Sequence, residues 1–495
     1  MRLSQMVASL DSCRVFGEQE IEIDAIAYDS RSVSPGTLFV AVPTVGGAAD
    51  TGGHRFIEQA RQRGASAVVV QTDSPLDGIT RVQVPDSRAA LGSLAAEFYR
   101  HPSRRLKLYA VTGTDGKTTT TYLLEQIFRH AGMRTGMLGT VLTRIGEQVE
   151  HNVDRMTTPE SLDLQRHLRT MVDAGVTHAA IEASSHSLAL ERLRGCSFAA
   201  CAITNITSDH VEFHGSWQAY FEAKARLFTG LAPDQPAILN VDDSSYEALS
   251  RVIKGPIVTY GMTSEAEVRA TSLEPGGRAT RFLLCHASRE QPVDLRLVGT
   301  FNISNALAAA SLALSDGLPL DAVADGLSAA EAPPGRMQRV EAGQPFEIVV
   351  DYAHTVHAFE TTLATLRGRA GPNSHLIAVF GAAGNRDRQK RPVLAQLARQ
   401  YTDFFIVTNE DPFDEDAHHI LDEIISGVSP EDEGIRYMCE FDRQHAIERA
   451  VERARPGDTL VILGKGHERS IVAGAVRLPW SDVAAVERAL GVNAR

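Results

Sequence analysis

The length and composition of the chain are those of an ordinary globular protein with several domains. The sequence has 495 residues, which at roughly 150 residues per domain predicts about three domains. Hydrophobic residues make up 43% of the sequence and charged residues 22%, values that exclude a globally disordered chain. No apolar run approaches the roughly 18 residues of a membrane span, and the N-terminal residues lack the apolar core of a secretory signal.

The charge and the cysteines narrow the class of protein further. The formal net charge of −13 argues against a general nucleic-acid binder, because such proteins need a basic surface. It leaves open an anionic small substrate in a locally basic pocket. The five cysteines form no C-x-x-C pair and show no zinc spacing, so neither a disulfide framework nor a structural zinc site is predicted. We therefore expect a cytoplasmic protein.

Strands alternate with helices along the chain, which predicts an α/β fold with mostly parallel sheets. In the first stretch, apolar runs at 38–42 and 67–70 predict strands, and a helix is predicted between them at 56–63. Segment 101–105 combines a proline with two arginines. It predicts a domain boundary, because the residue before a proline avoids the helical region.

The second stretch continues the alternation. Its predicted strands lie at 106–112, 177–183, 199–204 and 237–241. Helices are predicted at 118–130, where Gly132 ends the helix, and at 304–314. The run Ala332-Pro333-Pro334-Gly335 is typical of a linker. The predicted domains are therefore 1–103, 104–333 and 334–495.

Three apolar strands in the third stretch end in polar loops. The strands at 348–350, 376–380 and 460–463 precede loops that begin at Asp351, Gly381 and Gly464. In an open parallel sheet, ligands bind at the carboxyl ends of the strands. We therefore expect a binding site on these loops.

The most specific motif is Val-Thr-Gly-Thr-Asp-Gly-Lys-Thr-Thr at 111–119, between a predicted strand and a predicted helix. Glycines let backbone N–H groups approach phosphate oxygens, and the helix N-terminus favours negative charge. We predict that Lys117 neutralises the β/γ-phosphates and that the Thr118 hydroxyl meets Mg²⁺. Val111 replaces the first glycine of the full pattern, so the loop is a shortened variant; an ordinary glycine turn with a solvated lysine is the alternative. The predicted nucleotide-binding residues are Gly113, Thr114, Asp115, Gly116, Lys117, Thr118 and Thr119.

Two polar residues follow later strands of the same stretch. Glu182 ends an apolar strand, where a carboxylate suits Mg²⁺ opposite a phosphate loop, but a hydrogen-bonded structural acid fits equally. His210 closes the segment 204–210, and a lone histidine there is more often structural than a ligand. The residues alone leave both roles open.

The order of these motifs resembles that of the Mur ligase family. The segments in the middle of the chain that carry the resemblance are the phosphate loop, 182–186, 205–210, 214–215 and 220–224. Those at the two ends are 29–31, 36–41, 335–338, 351–355 and 464–468. Within the family, the chain is similar to the ligases that add the third peptide residue to UDP-N-acetylmuramoyl-L-alanyl-D-glutamate.

The resemblance implies both a fold and a reaction. The fold is a central P-loop ATPase-like parallel sheet, flanked by an N-terminal nucleotide-sugar domain and a C-terminal Rossmann-like domain. The reaction is ATP-dependent amide ligation in peptidoglycan precursor synthesis, in which the D-glutamate side-chain carboxylate becomes an acyl phosphate that an amine attacks. The implied partners are UDP-N-acetylmuramoyl dipeptide, ATP and a diamino acid: meso-diaminopimelate, L-lysine or L-ornithine. The expected protein is a monomer that binds no nucleic acid.

Lys224 receives a role only from the resemblance. From the residues alone, a lysine in Glu222-Ala223-Lys224-Ala225-Arg226 is a solvated helix residue. In the family, the matching lysine is carbamylated by CO₂, and the carbamate supplies oxygens to a second Mg²⁺. The resemblance thus implies two magnesium ions and a metal site of Thr118, Glu182, His210 and carbamylated Lys224. The implied catalytic residues are Lys117, Lys224 and His210.

The resemblance also implies the substrate contacts. The residues implied to hold the UDP-muramoyl dipeptide are Ser30, Thr157, Thr158, Ser184 and Arg192. Those implied to meet ATP besides the phosphate loop are Asn302, Arg336 and Asp351. The sequence departs from the family at Leu190, where a glutamine is frequent, and in the glycine-rich loop 43–53.

The diamino acid is the least determined substrate. The residues implied to hold it are Arg391, Asp411, Gly464 and Glu468. Diaminopimelate-using members have an Asp-Asn-Pro-Arg motif whose arginine binds the distal carboxylate, and Glu410-Asp411-Pro412-Phe413 stands here instead. The following Asp414-Glu415-Asp416 makes this loop acidic, which suits the distal ammonium of lysine or ornithine; a solvated acidic turn is the alternative. The identity of the diamino acid stays open.

Three other functions compete with this interpretation. A ligase similar to folylpolyglutamate synthase would share the phosphate loop and the metal site. A P-loop kinase or NTPase switch would need neither a carbamylated lysine nor an amine substrate. A non-catalytic scaffold is disfavoured by the complete set of Lys117, Thr118, Glu182, His210 and Lys224.

Overall fold

The computed structural model describes residues 1–45, 51–72, 78–152, 156–207, 211–275 and 279–491. The chain forms two compact units. The first consists of Met1–Arg269, Cys285–Arg289 and Leu307–Gly326. The second consists of Ala270–Leu284, Glu290–Ala306 and Leu327–Arg495. None of the helices in the described ranges has the length and apolar character that a membrane crossing requires.

The N-terminal part of the first unit is a small α/β layer. Its strands are β1 (Arg14–Phe16), β2 (Ala25–Ala27), β3 (Thr37–Val40), β4 (Ala67–Val70) and β5 (Thr80–Gln83). Its helices are α1 (Leu3–Val7), α2 (Ile57–Gln62) and α3 (Ser87–Phe98), with 3₁₀ turns at Ser30–Ser32, Gly52–Phe56 and Pro102–Arg104. The strand order is β1-β5-β4-β3-β2, with only β1 antiparallel to its neighbour. All residues of β3 and β4 are buried, as expected for parallel strands covered on both faces.

The phosphate-loop region belongs to a larger sheet. Its strands are β6 (Lys107–Thr112), β7 (Thr135–Leu138), β8 (Leu142–Ile145), β9 (Gln148–His151), β10 (His178–Glu182), β11 (Ala200–Ile203), β12 (Ala237–Asn240) and β13 (Ile257–Gly261). The helices that follow these strands are α4 (Lys117–His130), α5 (Ser161–Asp173), α6 (Ser185–Ala189), α7 (Val211–His214), α8 (Trp217–Thr229) and α9 (Tyr246–Val252). The strand order is β13-β12-β11-β6-β10-β7-β8-β9. Strands from β13 to β7 are parallel, so the carboxyl ends of β6, β10 and β11 meet at one edge.

Five further elements complete the middle of the sequence. They are β14 (Val268–Pro275), β15 (Thr280–His286), β16 (Arg289–Leu295), α10 (Thr300–Ser315) and α11 (Leu320–Ala329). In the first unit, Val268 and Arg269 of β14 pair with β13. The remainder of β14 and most of β15 and β16 belong to the second unit.

The C-terminal part of the second unit is a parallel sheet covered by helices. Its strands are β17 (Gln338–Arg339), β18 (Glu347–Asp351), β19 (Leu376–Phe380), β20 (Phe404–Val407), β21 (Tyr437–Cys439), β22 (Thr459–Leu463), β23 (Ser470–Ala473) and β24 (Val476–Pro479). Its helices are α12 (Val356–Arg369), α13 (Lys390–Tyr401), α14 (Ala417–Ile425), α15 (Arg443–Arg453) and α16 (Asp482–Ala489), with a 3₁₀ turn at Pro430–Asp432. The main sheet has the order β17-β18-β22-β19-β20-β21, and β23 pairs with β24 in a separate hairpin. Only β17 is antiparallel in the main sheet.

The predicted α/β class and the predominance of parallel strands are confirmed. The strands expected from apolar runs are all present, with ends within one or two residues of the prediction. The helix predicted at 304–314 begins earlier, at Thr300. The helix of the phosphate loop begins at Lys117, one residue before the expected start.

Candidate active site

The phosphate loop lies between the carboxyl end of β6 and the start of α4. Thr112 ends the strand and Lys117 begins the helix, so four residues make the turn. Gly113 and Gly116 have positive φ angles of +147° and +85°, which other residues adopt only with strain. A Cβ on Gly113 would lie 1.8 Å from the Thr204 Oγ1 atom of the next segment. Glycine is therefore required here by both conformation and space.

Two lysines meet at this loop. Lys117 Nζ donates to the carbonyl oxygens of Gly113 (2.9 Å) and Thr114 (2.8 Å). Lys224 Nζ donates to the same Gly113 oxygen at 2.6 Å. Lys224 is only 1% exposed, so its interpretation as a solvated helix residue is wrong. It lies 4.6 Å from the centre of the Tyr220 ring one turn earlier on α8, and the Tyr220 hydroxyl is 2.9 Å from Thr114 Oγ1.

Glu182 ends β10 beside this loop and is 1% exposed. Its Oε2 atom accepts hydrogen bonds from Thr118 Oγ1 (2.8 Å) and Thr140 Oγ1 (2.9 Å). Its Oε1 atom accepts a bond from the Thr140 backbone N–H at 2.7 Å, and a Cβ on Gly139 would lie 2.5 Å from that oxygen. The carboxylate is therefore fixed against the first turn of α4. Thr140 was not predicted as a site residue, because no sequence motif marks a threonine between two strands.

The donor chemistry at this point fits Mg²⁺. Hydroxyl and carboxylate oxygens are the ligands that magnesium prefers, and Thr118 and Glu182 bring one of each within hydrogen-bond distance. The buried Oδ2 atom of Asp115, on the same loop, has no hydrogen-bond partner. Within the described ranges, no three His, Cys, Asp or Glu side chains converge on one point, so a cation here would also need hydroxyl, water or phosphate oxygens. His210, the remaining predicted metal residue, lies outside the described residues.

Four of the residues implied to hold the muramoyl dipeptide surround the same strand end. Thr158 Oγ1 donates to the carbonyl oxygen of Glu182 (2.8 Å) and accepts a bond from Ser184 N (3.2 Å). Arg192 Nη1 donates to the Thr158 carbonyl oxygen at 3.1 Å. Thr157 Oγ1 lies at hydrogen-bond distance, 3.1 Å, from the Thr140 hydroxyl oxygen. The structure thus brings these four residues together, next to Glu182.

Segment 204–207 supports the loop from the other side. Asn205 Oδ1 accepts a bond from Asp115 N (3.0 Å), and its Nδ2 donates to the Asp115 carbonyl oxygen (3.2 Å). The Thr204 hydroxyl donates to the same carbonyl oxygen at 2.5 Å. Asn205 was part of the sequence motif, but only the structure shows that its amide holds the loop backbone.

Ser30 lies in the N-terminal part of the first unit. It is nearly buried, and its hydroxyl donates to Gln59 Oε1 of α2 at 2.7 Å. The glycine-rich loop 43–53 is described only at its two ends, because residues 46–50 lie outside the described residues. Gly52 has a φ angle of +61°, and a Cβ there would lie 2.5 Å from Thr44 N, so the end of the loop returns close to its start.

The three other residues implied to meet ATP lie in the second unit. Asp351 ends β18 and accepts hydrogen bonds from Met337 N (2.6 Å) and Ala353 N (2.8 Å). The neighbouring Arg336 guanidinium stacks 4.5 Å from the centre of the Tyr352 ring. The structure therefore brings Arg336 and Asp351 together. Asn302 is buried near the start of α10, and its Nδ2 donates to the Val298 carbonyl oxygen at 2.8 Å.

The residues implied to hold the diamino acid lie in two groups of charged side chains at the carboxyl edge of the second unit's main sheet. Asp411 and Glu468 belong to the first group, and Arg391 to the second. In the first, the buried Lys465 Nζ donates to Asp411 Oδ2 (2.8 Å) and to Glu468 Oε2 (2.6 Å). Asp411 Oδ1 also accepts a bond from Val472 N at 2.7 Å. Gly464, with a φ angle of +103°, places this group next to the end of β22.

The second group centres on Arg391, whose side chain is 0% exposed. Its Nη1 atom donates to Glu415 Oε2 (2.9 Å) and Glu423 Oε2 (2.5 Å). Its Nη2 atom donates to the Ala383 carbonyl oxygen at 3.2 Å. The positive charge of Arg391 is thus shared between two carboxylates of this chain.

The three carboxylates of the acidic loop after β20 each have a partner within the protein. Asp414 accepts a bond from Asn385 Nδ2 (2.9 Å), Glu415 pairs with Arg391, and Asp416 caps α14 through His418 N (2.8 Å). The loop therefore uses these three carboxylates internally.

Glu410 was named only as part of the segment 410–413 and was not predicted to have a role of its own. It is 6% exposed and accepts no hydrogen bond in the described part of the chain. A Cβ on Gly464 would lie 2.4 Å from its Oε2 atom, so this carboxylate occupies the space that the glycine leaves. Burial raises the pKa of Glu410, although Arg443 and Lys465 act in the opposite direction.

Comparisons with known proteins agree with this geometry. Family models match at residues 22–99 (Mur ligase family, catalytic domain), 111–313 (Mur ligase middle domain) and 335–466 (Mur ligase, glutamate ligase domain). The UDP-N-acetylmuramyl-tripeptide synthetase of Roseiflexus sp. (strain RS-1) is 40% identical over 99% of both chains. This chain belongs to the Mur ligase family.

Further comparisons concern the subgroup of Mur ligases and the fold. The UDP-N-acetylmuramoyl-L-alanyl-D-glutamate–2,6-diaminopimelate ligase of Geobacillus thermodenitrificans (strain NG80-2) is 40% identical, again over 99% of both chains. A solved structure of a ligase with that name has a TM-score of 0.70 and 30% identity, and the match covers 99% of both chains. The solved folylpolyglutamate synthase of Mycobacterium tuberculosis has a TM-score of 0.62 at 16% identity over 82% of this chain, a likeness that shows the fold alone. The predicted three-domain α/β architecture and the ATP-dependent ligase class are therefore confirmed.

Proposed function

We propose that this Mur ligase adds a diamino acid to the D-glutamate side-chain carboxyl of UDP-N-acetylmuramoyl-L-alanyl-D-glutamate, with ATP, in peptidoglycan precursor synthesis. The full-length relatives with this activity in their names support the proposal. The observation that carries it is the meeting of Lys117, Lys224, Thr118 and Glu182 at one phosphate loop. Thr157, Thr158, Ser184 and Arg192, which lie beside Glu182, are proposed to hold the muramoyl dipeptide.

The chemistry requires activation of a carboxylate. The γ-phosphoryl group of ATP passes to a D-glutamate carboxylate oxygen, giving an acyl phosphate and ADP. The neutral amine of the diamino acid then attacks the acyl carbon, the carbon–oxygen bond to phosphate breaks, and the nitrogen gives up one proton to solvent as the amide forms. Phosphate and carboxylate repel each other, so catalysis is mostly positioning and charge neutralisation. Lys117 would exchange its carbonyl contacts for phosphate oxygens, and Mg²⁺, held by Thr118 and Glu182, would supply further neutralisation.

Lys224 is proposed to carry a carbamate formed from CO₂, and His210 to lie near a second magnesium ion. Support for the first proposal comes from the position of Lys224, which is buried and reaches the carbonyl oxygen of Gly113 in the phosphate loop. Mass spectrometry of the intact protein under CO₂ should detect the mass of one CO₂ at Lys224 and lose it in Lys224→Arg. An unmodified Lys224 in fully active enzyme would contradict this proposal.

The second unit is proposed to supply the remaining contacts. Asn302, Arg336 and Asp351 would bind ATP, and Arg391, Asp411, Gly464 and Glu468 would surround the diamino acid. Phe413 stands where diaminopimelate-using members have an arginine, and Arg391 is already paired with two carboxylates. These two observations favour a distal ammonium over a distal carboxylate, but the choice among lysine, ornithine and diaminopimelate stays open.

The experiment is an ATP-dependent phosphate-release assay with the nucleotide dipeptide and Mg²⁺. Meso-diaminopimelate, L-lysine and L-ornithine are added separately, and the product is identified by mass spectrometry. We expect one of the three to stimulate phosphate release and to appear in the product. If none stimulates release, the proposed function is wrong.

The cellular setting is also proposed rather than observed. We propose that the protein works in the cytoplasm, because its nucleotide substrates are found there, and that it is a monomer. We propose domain boundaries at 103/104 and 333/334; each of the three matched family segments lies within one of the resulting domains. Gel filtration coupled to light scattering would measure the oligomeric state.

A further inference from the structure

Arg443 and Asp482 form a buried ion pair in the second unit, near the charged groups described above. Arg443 is the first residue of α15, and its side chain is 1% exposed. Its Nε and Nη2 atoms donate to the two carboxylate oxygens of Asp482, each at 2.8 Å. Asp482 is the first residue of α16 and also accepts a bond from Trp480 Nε1 at 2.8 Å. The two helices are therefore joined at their first residues by a bidentate pair that is removed from water.

The same guanidinium reaches the ends of two strands. Nη2 donates to the carbonyl oxygen of Leu463 at 2.9 Å, and Nη1 donates to that of Asn409 at 3.3 Å. Leu463 ends β22, and Asn409 lies two residues beyond the end of β20. These strands lie on opposite sides of β19 in the sheet. One planar, rigid fork thus links the carboxyl ends of two non-adjacent strands.

The residues that follow these carbonyl groups belong to the proposed amino-acid site. Gly464 comes directly after Leu463, and Glu410 comes directly after Asn409. In front of the guanidinium, Lys465 and Asp411 join the same two loops by a 2.8 Å bond. Each of the three side-chain nitrogens of Arg443 donates to a protein atom, so this residue acts on the loops and not on a ligand.

Helix stability does not account for this arrangement. A buried ion pair contributes little net stability, because the cost of desolvation offsets the attraction, and well-packed apolar residues are often as good. A positive charge in the first turn of a helix also opposes the helix dipole. The contacts with Leu463 and Asn409 are the feature that apolar residues could not reproduce.

We propose that Arg443, oriented by Asp482, is a positioning residue that sets the separation of the loops beginning at Glu410 and Gly464. It thereby determines how tightly the enzyme binds its acceptor amino acid. This inference rests on the proposed ligase function and adds to it residues outside the amino-acid site itself. It predicts a change in the KM of the amino acid and no change in the KM of ATP or of the nucleotide dipeptide.

The test uses two variants of the full-length enzyme, with phosphate release measured against each substrate in turn. Arg443→Lys keeps the charge but replaces the fork by one nitrogen. Arg443→Met combined with Asp482→Leu fills the space with apolar groups and removes the donors to both carbonyl oxygens. In both variants we expect the amino-acid KM to rise about tenfold or more, because small displacements of binding groups are costly. The KM values for ATP and for the nucleotide dipeptide should stay unchanged.

Urea unfolding measures the stability of each variant, so that a change in KM can be distinguished from a general loss of folding. The double variant removes both charges of the pair, so it should lose less stability than Arg443→Met alone, which leaves the buried Asp482 carboxylate without its cation. Arg367→Met is the control for an arginine at the other end of the same sheet: Arg367 is 34% exposed, pairs with Asp403 and donates to the Tyr401 carbonyl oxygen at 2.7 Å. It should lower stability without changing any KM.

Two outcomes overturn the proposal. If the double variant has the parent amino-acid KM, the pair serves only to fill space. If all three KM values rise together, Arg443 supports the fold in general and not the acceptor site. A parent enzyme that no diamino acid stimulates would instead defeat the proposed function, a result seen before any variant is compared.

Discussion

The phosphate loop of the first unit and the charged groups at the sheet edge of the second unit use their cations differently. At the loop, Lys117 donates to the carbonyl oxygens of Gly113 and Thr114. At the sheet edge, Lys465 and Arg391 are each held by two carboxylates. Lys117 thus lies at the loop proposed to bind the ATP phosphates, whereas Lys465 and Arg391 pair with carboxylates of the chain itself.

This difference assigns different tasks to the two regions. A cation at the proposed phosphate site acts on a ligand, so its loss should reduce activity more than stability. A buried cation held by carboxylates of the chain maintains the shape of its surroundings, so its loss should reduce stability first. Substitutions in the two regions can therefore confirm or contradict the comparison.

The largest effect is expected from Lys117→Met. Removing the charge that is proposed to meet the phosphates should lower kcat by about a thousandfold, since electrostatic stabilisation is expected to be the main catalytic term. The urea midpoint should hardly change. Steady-state phosphate release and urea unfolding measure the two quantities, and Lys254→Met, at an exposed lysine, is the control. A large loss of stability in Lys117→Met would remove the distinction between the regions.

Lys465→Met should mainly destabilise the second unit. The substitution leaves Asp411 and Glu468 without their shared cation in a buried place. Removing one partner of a buried pair costs about 3–5 kcal/mol of unfolding free energy. Urea denaturation followed by tryptophan fluorescence would measure this change. Unchanged stability together with lost activity would mean that Lys465 acts like Lys117, contrary to the comparison.

Gly464→Ala tests the space that Glu410 occupies. The new Cβ would lie 2.4 Å from the Glu410 carboxylate at a φ angle of +103°, and we expect a loss of about 1–3 kcal/mol and a higher amino-acid KM. Gly457→Ala is the matched control, because Gly457 has a φ angle of +90° but no atom within 4 Å of the added Cβ. Equal effects in both variants would show that backbone strain, and not the Glu410 contact, is responsible.

Glu415→Gln tests the pH dependence of the second region. Hydrogen bonds from Arg391 and from Asn385 N–H lower the pKa of Glu415 to about 2, from an ordinary value of 4.5. A carboxyl whose pKa is lowered by folding stabilises the protein above its unfolded pKa and loses that contribution as the pH falls through the folded value. The difference in unfolding free energy between parent and variant should therefore be constant above about pH 4.5 and shrink toward pH 2. Glu452→Gln, at an exposed position of α15, should show no such trend.

The smallest effect is expected from Arg251→Ala. Arg251 pairs with Glu247 at 3.2 Å on the surface of the first unit, where both side chains are at least three-quarters exposed. Such pairs are screened by water and salt, so the unfolding free energy should change by less than about 0.5 kcal/mol. A loss above that range would show that ion pairs stabilise this protein irrespective of burial.

The phosphate loop could be predicted because its information is local. Strand, glycine turn and helix are contiguous in the sequence, and each has its own signal in the spacing of apolar residues and glycines. The roles of Lys224 and Thr140 could not be predicted in this way. Lys224 lies on a helix whose contact with Gly113 spans 111 residues, and Thr140 reaches Glu182 across 42 residues. No local pattern encodes such distances.

The partners of the acidic loop after β20 could not be predicted from the sequence either. Its charge favoured a site for a ligand ammonium group, but Asp414, Glu415 and Asp416 each have a partner within the protein. The partners of the first two, Asn385 and Arg391, lie 29 and 24 residues earlier in the chain. Net charge can be counted from the sequence, but its neutralisation depends on which distant groups folding brings near.

The sequence by itself determined the α/β class, the order of the strands and helices, the phosphate loop and the resemblance to the Mur ligases. These features follow from short-range rules: hydrophobic period, turn residues and contiguous motifs. Only the tertiary structure decided which charges are neutralised, that Lys224 is buried at the phosphate loop, and that Arg443 joins two strand ends. The physical reason is that burial and pairing depend on distances between residues far apart in the chain, and those distances exist only once the sheets have formed.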